Sequence, residues 1–245
     1  MADSEFAIIR QQPSSASVPL ILVHDGGGTI FPYFAIHDIG RDIYGIALSG
    51  RGEPWEDGIA DIADKYTALV KAQSLPASAV ILGGWSLGGI IALEMARLLY
   101  EDPELEVKGV VMMESIYPPL VSAQQQGAID PTDVTLGNGI SLAARSRILK
   151  SLNKGHEAVK AHRIQPGSEL TATVLITADD PWPSLRGGKF EMPAKLGWDD
   201  DGLGVVKHVY STSGHHYSIF DEENAASITA NLSEACAMLE NGVWG

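Results

Sequence analysis

The chain is short of cysteine and of basic residues, and both shortages limit what it can do. Cys236 is the single cysteine among 245 residues, so no internal disulfide forms and no cysteine-based zinc site can be built. Lys and Arg number 17 against 31 Asp and Glu, a net charge of 17 − 31 = −14 at neutral pH. Polyanion binding runs on Lys and Arg neutralising phosphate, so no nucleic-acid partner is expected. The same electrostatics disfavour an anionic membrane surface. Long hydrophobic runs are missing too: apolar stretches such as residues 18–23 and 90–93 are far too short to cross a bilayer. The opening Met1-Ala2-Asp3-Ser4-Glu5-Phe6 has neither the basic region nor the apolar stretch of a signal peptide. The expectation is a soluble, cytoplasmic protein.

What is present is globular. Apolar residues make up 45% of the chain and charged residues 20%, enough for a sizeable core, and the length suits one α/β domain over residues 1–245. Residues 18–23 form a continuous apolar run with the look of a strand buried on both faces, 43–48 is a second short apolar stretch, 79–82 reads as another buried strand, and 107–113, 171–178 and 205–210 read as further strands. Between them Ile59, Ile62, Ala63, Tyr66, Leu69 and Val70 recur at helical spacing within 58–73. Residues 90–100 are apolar nearly all round, and 224–239 close the chain as a helix. Alternation of this kind predicts a mostly parallel central sheet with helices on both faces. Residues 1–17 are mixed and read as a lead-in to the first strand at 18–23. Between about 117 and 168 no strand is evident, although 142–152 can form a helix. An insertion of that length reads as a helical lid, with Leu120, Val121, Ile129, Leu136, Ile140, Leu142, Ile148 and Leu149 as its apolar lining.

One motif carries chemistry. Gly84-Trp85-Ser86-Leu87-Gly88 is G-x-S-x-G, set directly between a buried strand and an apolar helix. That context makes it a sharp turn on which Ser86 is exposed as a nucleophile, with glycines where side chains would collide with the flanking strand and helix. A serine needs a base. Of seven histidines, His215 and His216 lie in the loop after the last strand, where the base of an α/β-hydrolase falls. His208 sits within that strand, His156 and His162 lie in the insertion and are expected to be solvated, and His24 shapes the first glycine loop. Three carboxylates end neighbouring strands: Glu114 after 107–113, and Asp179 and Asp180 after 171–178. The residues alone leave the choice among them open. The Asp199-Asp200-Asp201 run reads as a solvated turn, and no metal site is indicated. Gly26-Gly27-Gly28, after the first strong strand, can present a backbone N–H to a developing oxyanion beside that of Leu87. A phosphate cradle would want a lysine and a helix start, which are missing.

Together these residues resemble the thioesterase domains of polyketide and non-ribosomal peptide synthetases, fungal ones in particular. The likeness rests on residues 19–29, Gly84-Trp85-Ser86-Leu87-Gly88-Gly89, Met113-Glu114-Ser115 with Tyr117-Pro118-Pro119, and Gly214-His215-His216-Tyr217-Ser218. It implies an α/β-hydrolase fold with a lid, and an acid at position 114, where the family usually has Asp. It also selects His216 over His215, and places the oxyanion donors on Gly26 or Gly27 with Leu87. The implied activity is a serine-dependent acyl thioesterase, taking an acyl or peptidyl chain from the phosphopantetheine of a carrier protein or synthase onto Ser86, with no cofactor bound to the enzyme itself. An esterase or lactonase acting on small oxygen esters is the alternative, and a hydrolase-fold binding module without turnover a third reading. Met1 and the close at Trp244-Gly245 favour a free-standing enzyme over an excised domain.

Overall fold

The computed structural model describes residues 4–12, 16–48, 58–123, 141–164, 171–181, 192–198 and 204–243. Their centre is a seven-stranded sheet. The strands are β1 (Ser4–Arg10), β2 (Leu20–Val23), β3 (Ile43–Leu48) and β4 (Ala79–Trp85), then β5 (Glu106–Met113), β6 (Thr173–Ala178) and β7 (Val206–Thr212). Their order across the sheet is β1-β3-β2-β4-β5-β6-β7. All pair in parallel except β1, which runs antiparallel to β3.

The period of two decides which helix each strand residue meets. Ile21 and Val23 of β2 face one side, with Ile59, Ile62 and Tyr66 of α1 (Gly58–Lys71) and the apolar surface of α2 (Leu87–Leu98). Leu20 and Leu22 face the other, in the cluster that includes Ile228, Leu232 and Leu239 of α5 (Ala225–Asn241). Each face is covered, which is why β2 and β4 read as unbroken apolar runs and β5 is apolar over its buried half. α2 is buried nearly all round, and its one buried acid, Glu94, is held by Arg97 at 2.7 Å.

Two expectations need correction. The lead-in contains β1, whose Phe6 stacks on Tyr44 at 5.2 Å between ring centroids. As an edge strand it is only half-buried, with Ile8 54% exposed, so no clean apolar face marks it in the sequence. The helix expected over 142–152 runs further, as α4 (Leu142–Ala161), because Gly155 is buried and Ala158 and Val159 join the core beyond it. The insertion also holds α3 (Pro118–Ala123). Ile129, Leu136 and Ile140 lie outside the described residues. Of the other expected lining residues, Val121 is buried while Leu142 is 85% exposed. No described helix is long and apolar enough to cross a membrane.

Because β3 and β4 flank β2, the chain turns outward from β2 to β3 and then crosses back to β4. In open parallel sheets such a switch point, at the carboxyl ends of the strands, is where ligands bind. Gly26, Ser86, Glu114 and His216 all follow strand ends on that edge.

Candidate active site

Ser86 sits between β4 and α2 with φ 56° and ψ −120°, a conformation that costs a non-glycine residue on the order of 1–3 kcal/mol and is held only where surroundings impose it. Here the Ser86 N–H is tied to the Met113 carbonyl at 2.8 Å. The glycines of the motif follow from close approach. A Cβ on Gly84 would run into the backbone of Gly88, and one on Gly88 into the Val23 and His24 carbonyls. Ser86 is thus raised from the sheet at the N-terminus of α2, where the helix dipole favours negative charge.

Glu114 is the second non-glycine residue with positive φ, at 51°. Its N–H bonds the Ile176 carbonyl at 2.8 Å, and its side chain is 1% exposed. One carboxylate oxygen, Oε1, accepts the Ala178 N–H at 2.7 Å, and the other, Oε2, accepts from His216 Nδ1 at 3.1 Å. Since β6 separates β5 from β7, the carboxylate must cross over β6 to meet the loop after β7. The extra methylene of Glu supplies reach for that crossing. Asp179 and Asp180 end β6 with exposed side chains, and Asp179 instead takes the Ser211 hydroxyl. Among the three carboxylates left open by the sequence, the structure brings Glu114 to the histidine.

His216 is 4% exposed. Burial pushes its pKa below the ordinary histidine value, opposed by the Glu114 hydrogen bond and charge, so the ring is neutral near pH 7. Nδ1 donates to the carboxylate, which leaves Nε2 as the basic nitrogen. The ring also packs on Trp85, the neighbour of Ser86, at 5.4 Å between centroids. His215 turns elsewhere: its Nδ1 accepts the Tyr217 N–H at 3.2 Å. Gly214, at φ 90°, opens a turn in which Ser218 Oγ accepts the His215 N–H at 2.9 Å, and Asn224 Nδ2 donates to the Ser218 carbonyl at 2.9 Å. A side chain on Gly214 would meet Asn224.

The glycine loop is more selective than expected. The Gly27 N–H is already engaged by Asp25 Oδ1 at 3.0 Å, which removes it as an oxyanion donor. The N–H groups of Gly26 and of Leu87, the first residue of α2, have no acceptor among the described residues. Burial pushes the Asp25 carboxyl up to about 6, against the amides of Thr29, Gly27 and Gly28 that hold it. His24 braces the same loop. It is fully buried and burial pushes its pKa down to about 4. In that neutral ring Nδ1 donates to the Asp25 carbonyl and Nε2 accepts the Tyr66 hydroxyl, each at 2.6 Å. Above the loop lies α4: a Cβ on Gly26 would stand 3.2 Å from Leu152, and one on Gly27 3.2 Å from Ile148.

The remaining histidines fall outside this cluster. His208 lies in β7 against Tyr210, 4.5 Å between ring centroids. His156 and His162 are half-buried rather than solvated, because α4 packs along α1 and α2, and His156 Nε2 is buried without a hydrogen-bond partner among the described residues. Residues 199–201 lie outside the described residues. Among those described, no group of three or more His, Cys, Asp or Glu side chains is placed to hold a metal ion. Sequence reasoning missed Tyr66, Ser218 and Asn224. Tyr66 reads as one more apolar position of a helical stripe, Ser218 enters only as the last residue of the motif around His216, and Asn224 only as the start of the closing helix; the hydrogen bonds they make are not legible from those placements.

Comparison with known proteins identifies the family. Residues 18–184 match the family model described as "Thioesterase domain". Thioesterase frbD of Dothideomycetidae sp. is 32% identical, over 94% of this chain and 92% of its own. The nonribosomal peptide synthetase imqB of Aspergillus flavus is 29% identical over 92% of this chain but only 8% of its own. Among solved structures, the NocB thioesterase domain in covalent complex with a fluorophosphonate nocardicin G analog superposes with a TM-score of 0.71, at 20% identity, covering 96% of this chain and 99% of that one. That likeness concerns the fold, which is the α/β-hydrolase fold. The family match covers well over half of the sequence and the frbD match nearly all of it, and the chain belongs to the thioesterase family.

Proposed function

We propose that this thioesterase releases an acyl or peptidyl chain from the phosphopantetheine arm of a carrier protein through an acyl-Ser86 intermediate. The observation that carries the reading is the bond from His216 Nδ1 to Glu114 Oε2 at 3.1 Å, with the His216 ring packed on Trp85, the residue before a serine held in a strained turn. Residues 1–245 act as one catalytic domain, with the insertion as its lid. In the first step His216 Nε2 takes the Ser86 hydroxyl proton as Oγ attacks the thioester carbonyl. The tetrahedral oxyanion is received by the N–H groups of Gly26 and Leu87. Collapse breaks the C–S bond, and the pantetheine thiolate leaves with the proton from His216. Water, or a nucleophile within the chain, then gives its proton to His216 and attacks the acyl-serine ester, and the proton returns to Ser86 Oγ. Glu114 stays ionised throughout, holding the tautomer and stabilising the imidazolium. No step in this scheme calls on a bound cofactor.

Leu152 and Ile148 of α4, beside the glycine loop, support an apolar wall for the acyl group. Burying each methylene there contributes about 0.8 kcal/mol, so kcat/KM should climb with acyl length until the cavity is full. Binding energy from the remote pantetheine portion can be used to raise turnover. The check is a matched series of thioesters and oxygen esters of the same acids, each with and without the pantetheine arm. The arm should raise kcat/KM, and the preference for thioesters should exceed their intrinsic reactivity difference. If the arm has no effect and short oxygen esters turn over best, a small-molecule esterase replaces this reading.

A further inference from the structure

β2 and β4 run side by side, with Val23 opposite Gly84 as the final rung of their ladder. Past that rung the strands part. One enters the glycine loop that carries Gly26, and the other enters the turn that carries Ser86 and Leu87. The two oxyanion donors therefore sit on diverging segments, and their spacing needs a tie that the sheet no longer supplies. Tyr33, from the 3₁₀ helix Phe31–Ala35, occupies that gap. Its hydroxyl donates to the Val23 carbonyl at 2.6 Å and accepts the Trp85 N–H at 2.8 Å.

We infer that Tyr33 is a positioning residue of the oxyanion site, its hydroxyl standing in for the missing rung and fixing the Gly26 N–H at its working distance from that of Leu87. The inference rests on the reading of Ser86 as nucleophile. Tyr33 does not touch the reacting atoms. It bonds Trp85, one residue before Ser86, and Val23, three before Gly26. The side chain is 1% exposed. Burial, helped by the Asp25 charge, keeps the phenol protonated far above its ordinary pKa despite the opposing Trp85 N–H, so it remains a donor. Its ring is held edge-on by Phe220 at 5.6 Å, and Phe220 meets Trp85 edge-on at 5.6 Å. The hydroxyl thus has little freedom to move while the two chain segments stay where they are. An oxyanion site misplaced by a fraction of an ångström loses transition-state binding far more than substrate binding.

The test compares the parent with Tyr33→Phe in four readouts: kcat, KM, the Ki of an alkyl boronic acid, and the Kd of an unreactive thioether analogue of an acyl-pantetheine thioester. The boronate adds to Ser86 Oγ and reproduces the tetrahedral charge, whereas the thioether reports ground-state binding. Tyr33→Phe is expected to lower kcat and weaken the boronate by about 10–100-fold, less than the about 10²–10³-fold that outright removal of an oxyanion donor costs, with KM and thioether binding within about twofold. Unchanged kcat, or equal weakening of boronate and thioether, overturns the inference. Should Tyr33→Phe melt below the assay temperature, replacement by 4-aminophenylalanine applies the same four readouts. Its N–H still meets Val23 but accepts poorly from Trp85, so a smaller loss confined to kcat and the boronate is expected. Full activity with that residue likewise overturns the inference. Ser86→Ala separates the two claims: if it retains parent turnover, the nucleophile assignment has failed. If it is inactive while Tyr33→Phe is fully active, only the tie has failed.

Discussion

Ser86→Ala is expected to lower kcat/KM by about 10⁴-fold or more, as loss of the nucleophile does in serine hydrolases. That corresponds to roughly 5 kcal/mol of transition-state stabilisation at about 1.36 kcal/mol per tenfold. The size follows from the mechanism. Without Oγ, release of the chain reverts to direct attack by water, which has neither the fixed position nor the adjacent base. The oxyanion donors remain, so some rate above the uncatalysed reaction should persist. The fold should survive, because the strain at φ 56° is imposed by the backbone of the turn and not by the hydroxyl. The measurement is steady-state hydrolysis of an acyl-pantetheine thioester, with thermal melting as the control for folding. A variant retaining a tenth of parent activity would remove Ser86 from the mechanism.

Glu114→Gln should cost nearly as much, about 10⁴-fold in kcat, because the carboxamide no longer selects the tautomer or stabilises the imidazolium. Asp179→Asn and Asp180→Asn should stay within a few-fold of the parent, since both side chains are exposed and Asp179 is occupied by Ser211. The pH profile supplies an independent check. Activity needs neutral His216, whose pKa lies below 6.5 because burial outweighs the raising effect of Glu114. The acid limb of kcat/KM should therefore fall below pH 6.5. Removing the Glu114 charge takes away the raising contribution, so in Glu114→Gln the limb should move to still lower pH while the plateau drops. If Asp179→Asn or Asp180→Asn proves the damaging change, or if the limb moves upward in Glu114→Gln, the acid is misassigned.

How much of this could be read in the sequence depends on how each feature is encoded. β2, β4, β5 and β6 are legible because covering both faces of a parallel sheet demands apolar residues wherever a strand is buried, unbroken in β2 and β4 and over the buried parts of β5 and, past Thr173, of β6. β1 is not, since an edge strand half open to solvent carries no such demand. α4 outruns its apparent end because Gly155, a poor helix former in isolation, is buried and the residues after it join the core. Ser86 is legible because the turn requires glycines at fixed spacing. The choice between Glu114 and Asp179 or Asp180 is not, because it depends on which strand end can reach the loop after β7. Nor is the division of labour between Gly26 and Gly27. That is decided by a side chain, Asp25, that turns back on its own loop and claims one of the two amides.

The acyl-enzyme itself offers the most direct measurement. The intact protein is mixed with a long-chain acyl-pantetheine thioester, quenched in acid within the first turnovers and weighed, and the adduct is then mapped by peptide mass. The account expects one acyl group per chain, found on Ser86, formed slowly in His216→Ala and not at all in Ser86→Ala. Turnover with no adduct at Ser86, or an adduct that persists in Ser86→Ala, would contradict it.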